Sequence, residues 1–249
     1  MLEKSELQPG QTISHYRVVR ALGSGGMGSV FLAEDLTLLR KVALKVITIP
    51  TQLSDDERKS LLREAQSLAA LNHPNIVSIY DLLEEDGKLI LVMELVDGHP
   101  LNTILGKVST SHLIRIAQQL ASALAAAHKA GMIHGDVKPT NILIDDETNV
   151  QLLDFGIARS LDFRIAAQSE YSGTTPYMAP ELIRGGKHSP QTDLWPSVLH
   201  SLNWLLAKGL LLGHTKPRYN MRSCMWRRPV NCYRKLLSRL QLRRLLRNC

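Results

Sequence analysis

The chain predicts an α+β fold in two lobes: a small β-rich lobe with one long helix, then a mostly helical lobe. Three observations carry that expectation. Residues 16–48 are rich in β-branched and apolar side chains broken by glycines, the pattern of consecutive strands. Residues 109–130 repeat apolar side chains at helical spacing. Between these blocks, Asp97-Gly98-His99-Pro100 interrupts both patterns, as a hinge between lobes would.

Element by element, strands are expected near residues 16–24, 28–34 and 40–48. Ser54-Asp55-Asp56-Glu57 is an acidic helix start. The following stretch, 58–71, carries Leu61, Leu62, Ala65, Leu68, Ala69 and Leu71 at helical spacing. Asn72-His73-Pro74-Asn75 ends it, and two strands follow near 76–83 and 88–95, joined by Glu84-Glu85-Asp86-Gly87. In the second lobe, Ser109 or Thr110 can cap a helix that ends near Ala130, with Gly131 suited to the position after its end. Its apolar positions are Leu113, Ile116, Ala117, Leu120, Leu124 and Ala127. Residues 142–144 and 150–153 read as a short hairpin around Asp145-Asp146. The expected organisation is an extension (1–12), a first lobe (13–97), the first part of a second lobe (98–195) and a basic tail (196–249).

The 249 residues, 44% hydrophobic and 21% charged, fit a globular chain rather than a disordered one. The net charge of +7 misleads as an average. Up to Trp195 there are 18 basic and 23 acidic residues, a net of −5; from Pro196 on there are 12 basic and no acidic residues, a net of +12. No nucleic-acid partner is therefore expected of the lobes. All three cysteines (Cys224, Cys232 and Cys249) lie in the tail, which argues against a disulfide framework and for a cytoplasmic location. Met1 to Gln11 lacks the apolar run of a signal peptide. No stretch reaches the roughly 18 apolar residues of a transmembrane span; the nearest, 198–213, is interrupted by His200, Asn203 and Lys208.

The chemistry-bearing residues fall in short loops and one strand. Gly23-Ser24-Gly25-Gly26-Met27-Gly28-Ser29-Val30 lies between two expected strands, where glycines let a backbone approach phosphates. Alone it is as consistent with a simple turn. The absence of a following helix argues against a dinucleotide fold, and the absence of a terminal Lys-Ser/Thr argues against a P-loop. Lys45 sits in the apolar strand Val42-Ala43-Leu44-Lys45-Val46, either at a strand edge reaching solvent or aimed at phosphates, with Glu64 on the next helix placed to hold it. His134-Gly135-Asp136-Val137-Lys138-Pro139-Thr140-Asn141 and Asp154-Phe155-Gly156 add two carboxylates, a lysine and an asparagine. Such a set can hold magnesium and a phosphate donor while one carboxylate addresses an incoming hydroxyl.

Taken in order and spacing, these motifs resemble the bacterial eukaryotic-like (Hanks-type) serine/threonine protein kinases, over about Ile13 to Trp195. The resemblance implies a two-lobed protein-kinase-like fold and transfer of the ATP γ-phosphoryl group to serine or threonine hydroxyls of proteins. It implies ATP and Mg2+ as cofactors. Gly23, Gly25 and Gly28 would cover the phosphates, with Val30 below the adenine and Ala43 lining its pocket. Lys45 would contact the α- and β-phosphates and pair with Glu64. Met93 would be the gatekeeper, and the backbone of Glu94 and Val96 would hydrogen-bond adenine. Asp136 would orient the substrate hydroxyl and accept its proton, and Lys138 would neutralise the transferring group. Asn141 and Asp154 would hold magnesium. Lys138-Pro139 points to the serine/threonine subclass. Thr174, in Gly173-Thr174-Thr175-Pro176-Tyr177-Met178-Ala179-Pro180-Glu181, would partner Asp136 and Lys138 at the acceptor seat. Asp193 would brace the catalytic-loop backbone.

Two departures stand out. The family usually has His-Arg-Asp where this chain has His134-Gly135-Asp136, so a phosphate anchor for the segment 159–175 is missing. Activity is then expected to depend little on phosphorylation of Ser169, Tyr171, Ser172 or Thr174, unless another basic residue compensates. The second departure begins after Trp195. Pro196 falls where a helix should run, and proline costs about 3 kcal/mol in a helix interior. No arginine can be placed to pair with Glu181, and a buried carboxylate left alone costs roughly 3–5 kcal/mol. Fifty-four residues without an acid have odds of roughly one in a thousand at ordinary composition. A reading-frame change near residue 195 accounts for this; an authentic tail, with 236–247 as a basic amphipathic helix for a membrane surface or acidic partner, is the alternative. The competing function is a non-catalytic kinase fragment that binds nucleotide or a partner.

Overall fold

A computed structural model describes residues 7–25, 28–49, 53–104, 109–155 and 177–196. They fall into two compact units. The first comprises the described residues up to His73 together with Val77–Asp97; the second comprises Pro74–Ile76 and the described residues from Gly98 on.

The first unit is an antiparallel sheet of six strands. These are β1 (Thr12–Ile13), β2 (Tyr16–Gly25), β3 (Gly28–Asp35), β4 (Arg40–Thr48), β5 (Ile79–Glu85) and β6 (Lys88–Glu94), ordered β1-β2-β3-β4-β6-β5. Helix α1 (Asp55–Ala69) packs against β5. Its start is a capping box: Ser54 accepts from the Glu57 amide, and the Glu57 carboxylate accepts from the Ser54 amide at 2.9 Å. Strand alternation divides the sheet into two faces. Phe31, Ala33, Val42, Leu44, Val46, Ile90 and Val92 form one buried apolar face. The opposite face of the same strands carries the residues taken up below.

In the second unit, β7 (His99–Pro100), β8 (Ile142–Ile144) and β9 (Val150–Leu152) form a small antiparallel sheet. Helix α2 (Leu101–Ile104) follows β7, and α3 (Thr110–Lys129) is the long helix. Ser109 is its cap, accepting from the His112 amide at 3.2 Å. Gly131 takes φ +76°, the left-handed geometry that ends the helix. A short helix, Pro180–Ile183, and a helical stretch at 190–196 complete the described part.

Four expectations change. The strand expected at 76–83 begins only at Ile79, because the residues before it are held elsewhere. Ile76 makes a parallel bridge to Leu152, and Asn75 Nδ2 donates to Gln119 Oε1 and to the Val150 carbonyl at 2.8 and 2.9 Å. His99 and Pro100 are a paired strand rather than an open hinge. Glu181 is exposed, so it is not the buried lone carboxylate anticipated from sequence. Around Pro196 the chain is helical from 190 to 196 despite the proline, whose missing N–H removes the bond to the Thr192 carbonyl. That stretch begins with a reciprocal cap, Ser189 N donating to Thr192 Oγ1 at 3.0 Å and Thr192 Oγ1 donating back to the Ser189 carbonyl at 2.7 Å. Residues 197–249, Thr174 and the segment 159–175 lie outside the described residues.

Candidate active site

Within the first unit, sheet register gathers the expected nucleotide-binding residues. Val30 pairs with Lys45 across β3 and β4, and Ala43 pairs with Met93 across β4 and β6. Directly paired residues share a face, and so do residues two apart on one strand. Val30, Ala43, Lys45 and Met93 therefore lie on one face, opposite the apolar core. Lys45 is 4% exposed, so this cation is seated in the sheet and does not reach solvent from an edge. Glu64 is half-buried on α1. Gly23 pairs with Val30 and Gly25 with Gly28, at the end of the β2–β3 ribbon. Gly28 has a strict reason to be glycine: at φ +123° a Cβ would lie 2.1 Å from the Val46 carbonyl oxygen. The Glu94 amide donates to the Ser78 carbonyl at 2.9 Å, and Val96 follows β6 as half-buried coil.

Within the second unit, the loop 134–141 is built around buried polar groups. Asp193, 2% exposed, accepts the His134 amide on Oδ2 and the Gly135 amide on Oδ1, both at 2.7 Å. His128, near the end of α3, brings Nε2 to 2.9 Å from Asp193 Oδ2. Gly135 has φ +76°, and a Cβ there would meet only the His188 ring at 3.7 Å, so the arginine's place is sterically open but conformationally strained for a side chain.

His134 is fully buried, and loss of solvation pushes its pKa below the ordinary histidine value against the pull of Asp193. The neutral ring is then bonded at both nitrogens. Nε2 donates to the Leu153 carbonyl at 2.8 Å and Nδ1 accepts from the Asp136 amide at 3.2 Å. Its ring packs on Phe155 with centroids 4.6 Å apart.

These contacts aim three expected site residues at one another. Lys138 Nζ lies 2.7 Å from Asp136 Oδ2, whose side chain is buried. Asn141 Nδ2 donates to the Asp136 carbonyl at 3.0 Å and to Oδ2 at 3.2 Å. Pro139–Asn141 is a single 3₁₀ turn with proline at its start, closed by Asn141 N to the Lys138 carbonyl at 2.9 Å. The Asn141 carbonyl accepts from Leu153 N at 2.8 Å, which sets Asn141 beside the residue preceding Asp154. Asp154 holds φ +58°, a strained geometry for a non-glycine residue.

The donor set suits a hard cation. With Asn141 Nδ2 turned to Asp136, its Oδ1 and the Asp154 carboxylate are the oxygens that would be offered to such an ion. Magnesium is commonly held by one or two protein oxygens completed by substrate phosphates and water. Among the described residues no cluster of three or more His, Cys, Asp or Glu could form an all-protein metal cage.

Comparison with known proteins places the whole chain rather than this turn alone. The family described as "Protein kinase domain" matches residues 16–227. The chain belongs to that family. The match extends past Trp195, where the motif resemblance had been expected to end. Among curated relatives, serine/threonine-protein kinase PrkC of Bacillus subtilis is 41% identical over 191 residues, covering 75% of this chain and 30% of PrkC. Serine/threonine-protein kinase PknA of Mycobacterium tuberculosis is 40% identical over 196 residues, covering 75% of this chain and 46% of PknA. The chain thus spans less than half the length of these relatives. The crystal structure of the Mycobacterium tuberculosis PknI kinase domain superposes with a TM-score of 0.63 at 30% identity, covering 80% of this kinase-family chain and 77% of the PknI chain.

Sequence reading missed His128 and the Asn75–Gln119 pair. The signal for His128 was present, since it lies four residues after Leu124 on the apolar stripe of α3. A polar residue on such a stripe needs a buried partner. No helix among the described residues is long and apolar enough to cross a membrane.

Proposed function

We propose that this chain is a serine/threonine protein kinase, transferring the γ-phosphoryl group of ATP to serine or threonine hydroxyls of protein substrates. The observation that carries the reading is the buried Asp136 carboxylate, held by Lys138 at 2.7 Å and Asn141 at 3.2 Å in a loop whose backbone is pinned by Asp193. In this reading Asp136 orients the acceptor hydroxyl and takes its proton, and Lys138 offsets charge on the transferring group. Asn141 and Asp154 hold magnesium, which when bound neutralises phosphate charge and orients the triphosphate. Lys45, with Glu64 as its ion-pair partner, addresses the α- and β-phosphates. Gly23, Gly25 and Gly28 give those phosphates backbone access. Val30, Ala43 and Met93 line the adenine site, and the backbone of Glu94 and Val96 meets the base. Thr174, outside the described residues, is the partner this reading assigns to Asp136 and Lys138 at the acceptor seat. The cysteine-free stretch to residue 195 favours a cytoplasmic site of action.

Phosphorylation of a generic protein substrate with labelled ATP and magnesium tests this. Asp136→Ala and Lys45→Met are each expected to lower the rate by at least about 100-fold. Thermal stabilisation by Mg-ATP with no turnover in the unsubstituted chain would instead establish a nucleotide-binding module.

A further inference from the structure

Turns between strands are ordinarily polar, and the one joining β3 to β4 is not. Of eight large apolar side chains left exposed among the described residues, three fall within residues 36–39: Leu36 at 42%, Leu38 at 63% and Leu39 at 87%. Single exposed apolar residues are common, whereas a contiguous run marks a surface that meets something. The run is held firmly. Buried Asp35 accepts the Thr37 and Leu38 amides on Oδ1 at 3.0 and 2.9 Å, and the Leu36 amide donates to the His15 carbonyl at 2.9 Å. Leu39 holds φ +53°, a left-handed geometry that glycine or asparagine takes with less strain. The turn therefore keeps an apolar side chain at its most exposed position against both solvation and backbone preference.

Beneath the leucines the chemistry changes. The Arg40 guanidinium lies over the Tyr80 ring, 3.7 Å from its centroid, and Tyr80 is another of the eight exposed side chains. Lys41 is exposed. The neighbouring carboxylates are enclosed or occupied. Asp35 is buried with Arg40 Nε at 3.5 Å, Glu34 is paired with Arg17, and Asp81 accepts the Tyr16 hydroxyl at 3.2 Å. An apolar tip above a collar of tyrosine, arginine and lysine matches the order of chemistry across a lipid headgroup region. Acyl chains take the leucines, the headgroup level takes the aromatic ring, and anionic phosphates attract the cations.

We propose that the tip at 36–39 is a peripheral docking site for an anionic lipid bilayer. Leu36, Leu38 and Leu39 enter the bilayer surface, and Arg40, Lys41 and Tyr80 lie at the headgroups. A second copy of the chain fits worse. A two-fold contact through the tip would bring Arg40 and Lys41 toward their own counterparts, and these few side chains fall well short of the roughly 20–30 residues a side of a stable protein interface. The site needs no membrane-spanning helix, and it does not rest on the phosphoryl-transfer reading.

The experiment uses the full chain, basic tail included, and two variants. Leu38→Ser/Leu39→Ser changes only exposed side chains and leaves the core alone; Lys41→Gln removes one collar charge. Co-sedimentation is measured with vesicles of phosphatidylglycerol and phosphatidylcholine in equal parts, and with phosphatidylcholine alone. Hydrogen exchange over 36–41 is read with and without the mixed vesicles, and sedimentation equilibrium reports self-association without lipid. The unsubstituted chain is expected to bind the mixed vesicles and to show slower exchange over 36–41 when bound. The double variant is expected to bind at least about 10-fold more weakly, and Lys41→Gln about fivefold more weakly at low salt. Equal binding by the double variant, as attachment through the tail alone would give, overturns the proposal. So does exchange over 36–41 that the vesicles leave unchanged, or equally tight binding to phosphatidylcholine alone. Self-association that disappears in the double variant, with no vesicle binding, assigns the tip to a second copy and overturns it as well.

Discussion

Lys138 Nζ and Asp136 Oδ2 are 2.7 Å apart, and the pair is asymmetric: the lysine side chain is 26% exposed while the aspartate side chain is buried. The lysine reaches in from solvent to a carboxylate that is enclosed by the loop. Lys138→Met is therefore expected to leave Asp136 in place through Asn141 and to lose charge compensation at the reacting centre. A fall in kcat of roughly 100-fold with little change in KM for ATP is the expected outcome of steady-state assays.

Replacing Asp193 with alanine strands three donors, the His134 and Gly135 amides and His128 Nε2. Buried donors left without an acceptor are costly, and this carboxylate is charged and enclosed. Asp193→Ala is expected to lower unfolding free energy by about 3–5 kcal/mol, measured by urea denaturation. Asp193→Asn keeps one acceptor oxygen and is expected to lose less.

The glycines of the β2–β3 ribbon are not equivalent. A Cβ on Gly28 would sit 2.1 Å from the Val46 carbonyl oxygen, whereas one on Gly23 meets nothing within 4 Å. Gly28→Ala is expected to destabilise by about 2 kcal/mol or more, because backbone must shift. Gly23→Ala is expected to change stability by less than about 1 kcal/mol. Denaturation midpoints compare the two, and faster amide exchange around Val46 would locate the Gly28 effect.

Burial holds the His134 pKa below the ordinary histidine value of 6.5. The unfolded chain therefore binds a proton that the folded chain refuses, and stability falls as pH drops through 6.5 toward the lowered folded value. Above that window the group contributes no pH dependence. Urea midpoints are expected to decline as pH falls from about 7 toward the lower pKa, and the His134 ring is expected to stay neutral by NMR below pH 6.5. A ring that protonates at its ordinary pKa in the folded state would refute this.

The local elements were legible because their causes are local. β4 and α3 were read to within a residue or two from β-branched and apolar richness, helical spacing, the Ser109 cap and the Gly131 terminator. The two-residue strands β1 and β7 were not, since so short a strand exists only through its partner. The start of β5 was misread for a related reason: Asn75 and Ile76 are claimed by Gln119, Val150 and Leu152, residues at least 44 positions away.

The candidate site divides in the same manner. Asp136, Lys138, Asn141 and Asp154 were readable because loop chemistry of this kind needs fixed residue types at fixed short spacing. The common face of Val30, Ala43, Lys45 and Met93 required the strand register, which no single strand specifies. The union of His128 with Asp193 and the burial of His134 were decided by packing alone. Sequence reports the period and chemistry of each segment, but burial and partner choice are properties of which segments meet, and that is settled only when the chain closes on itself.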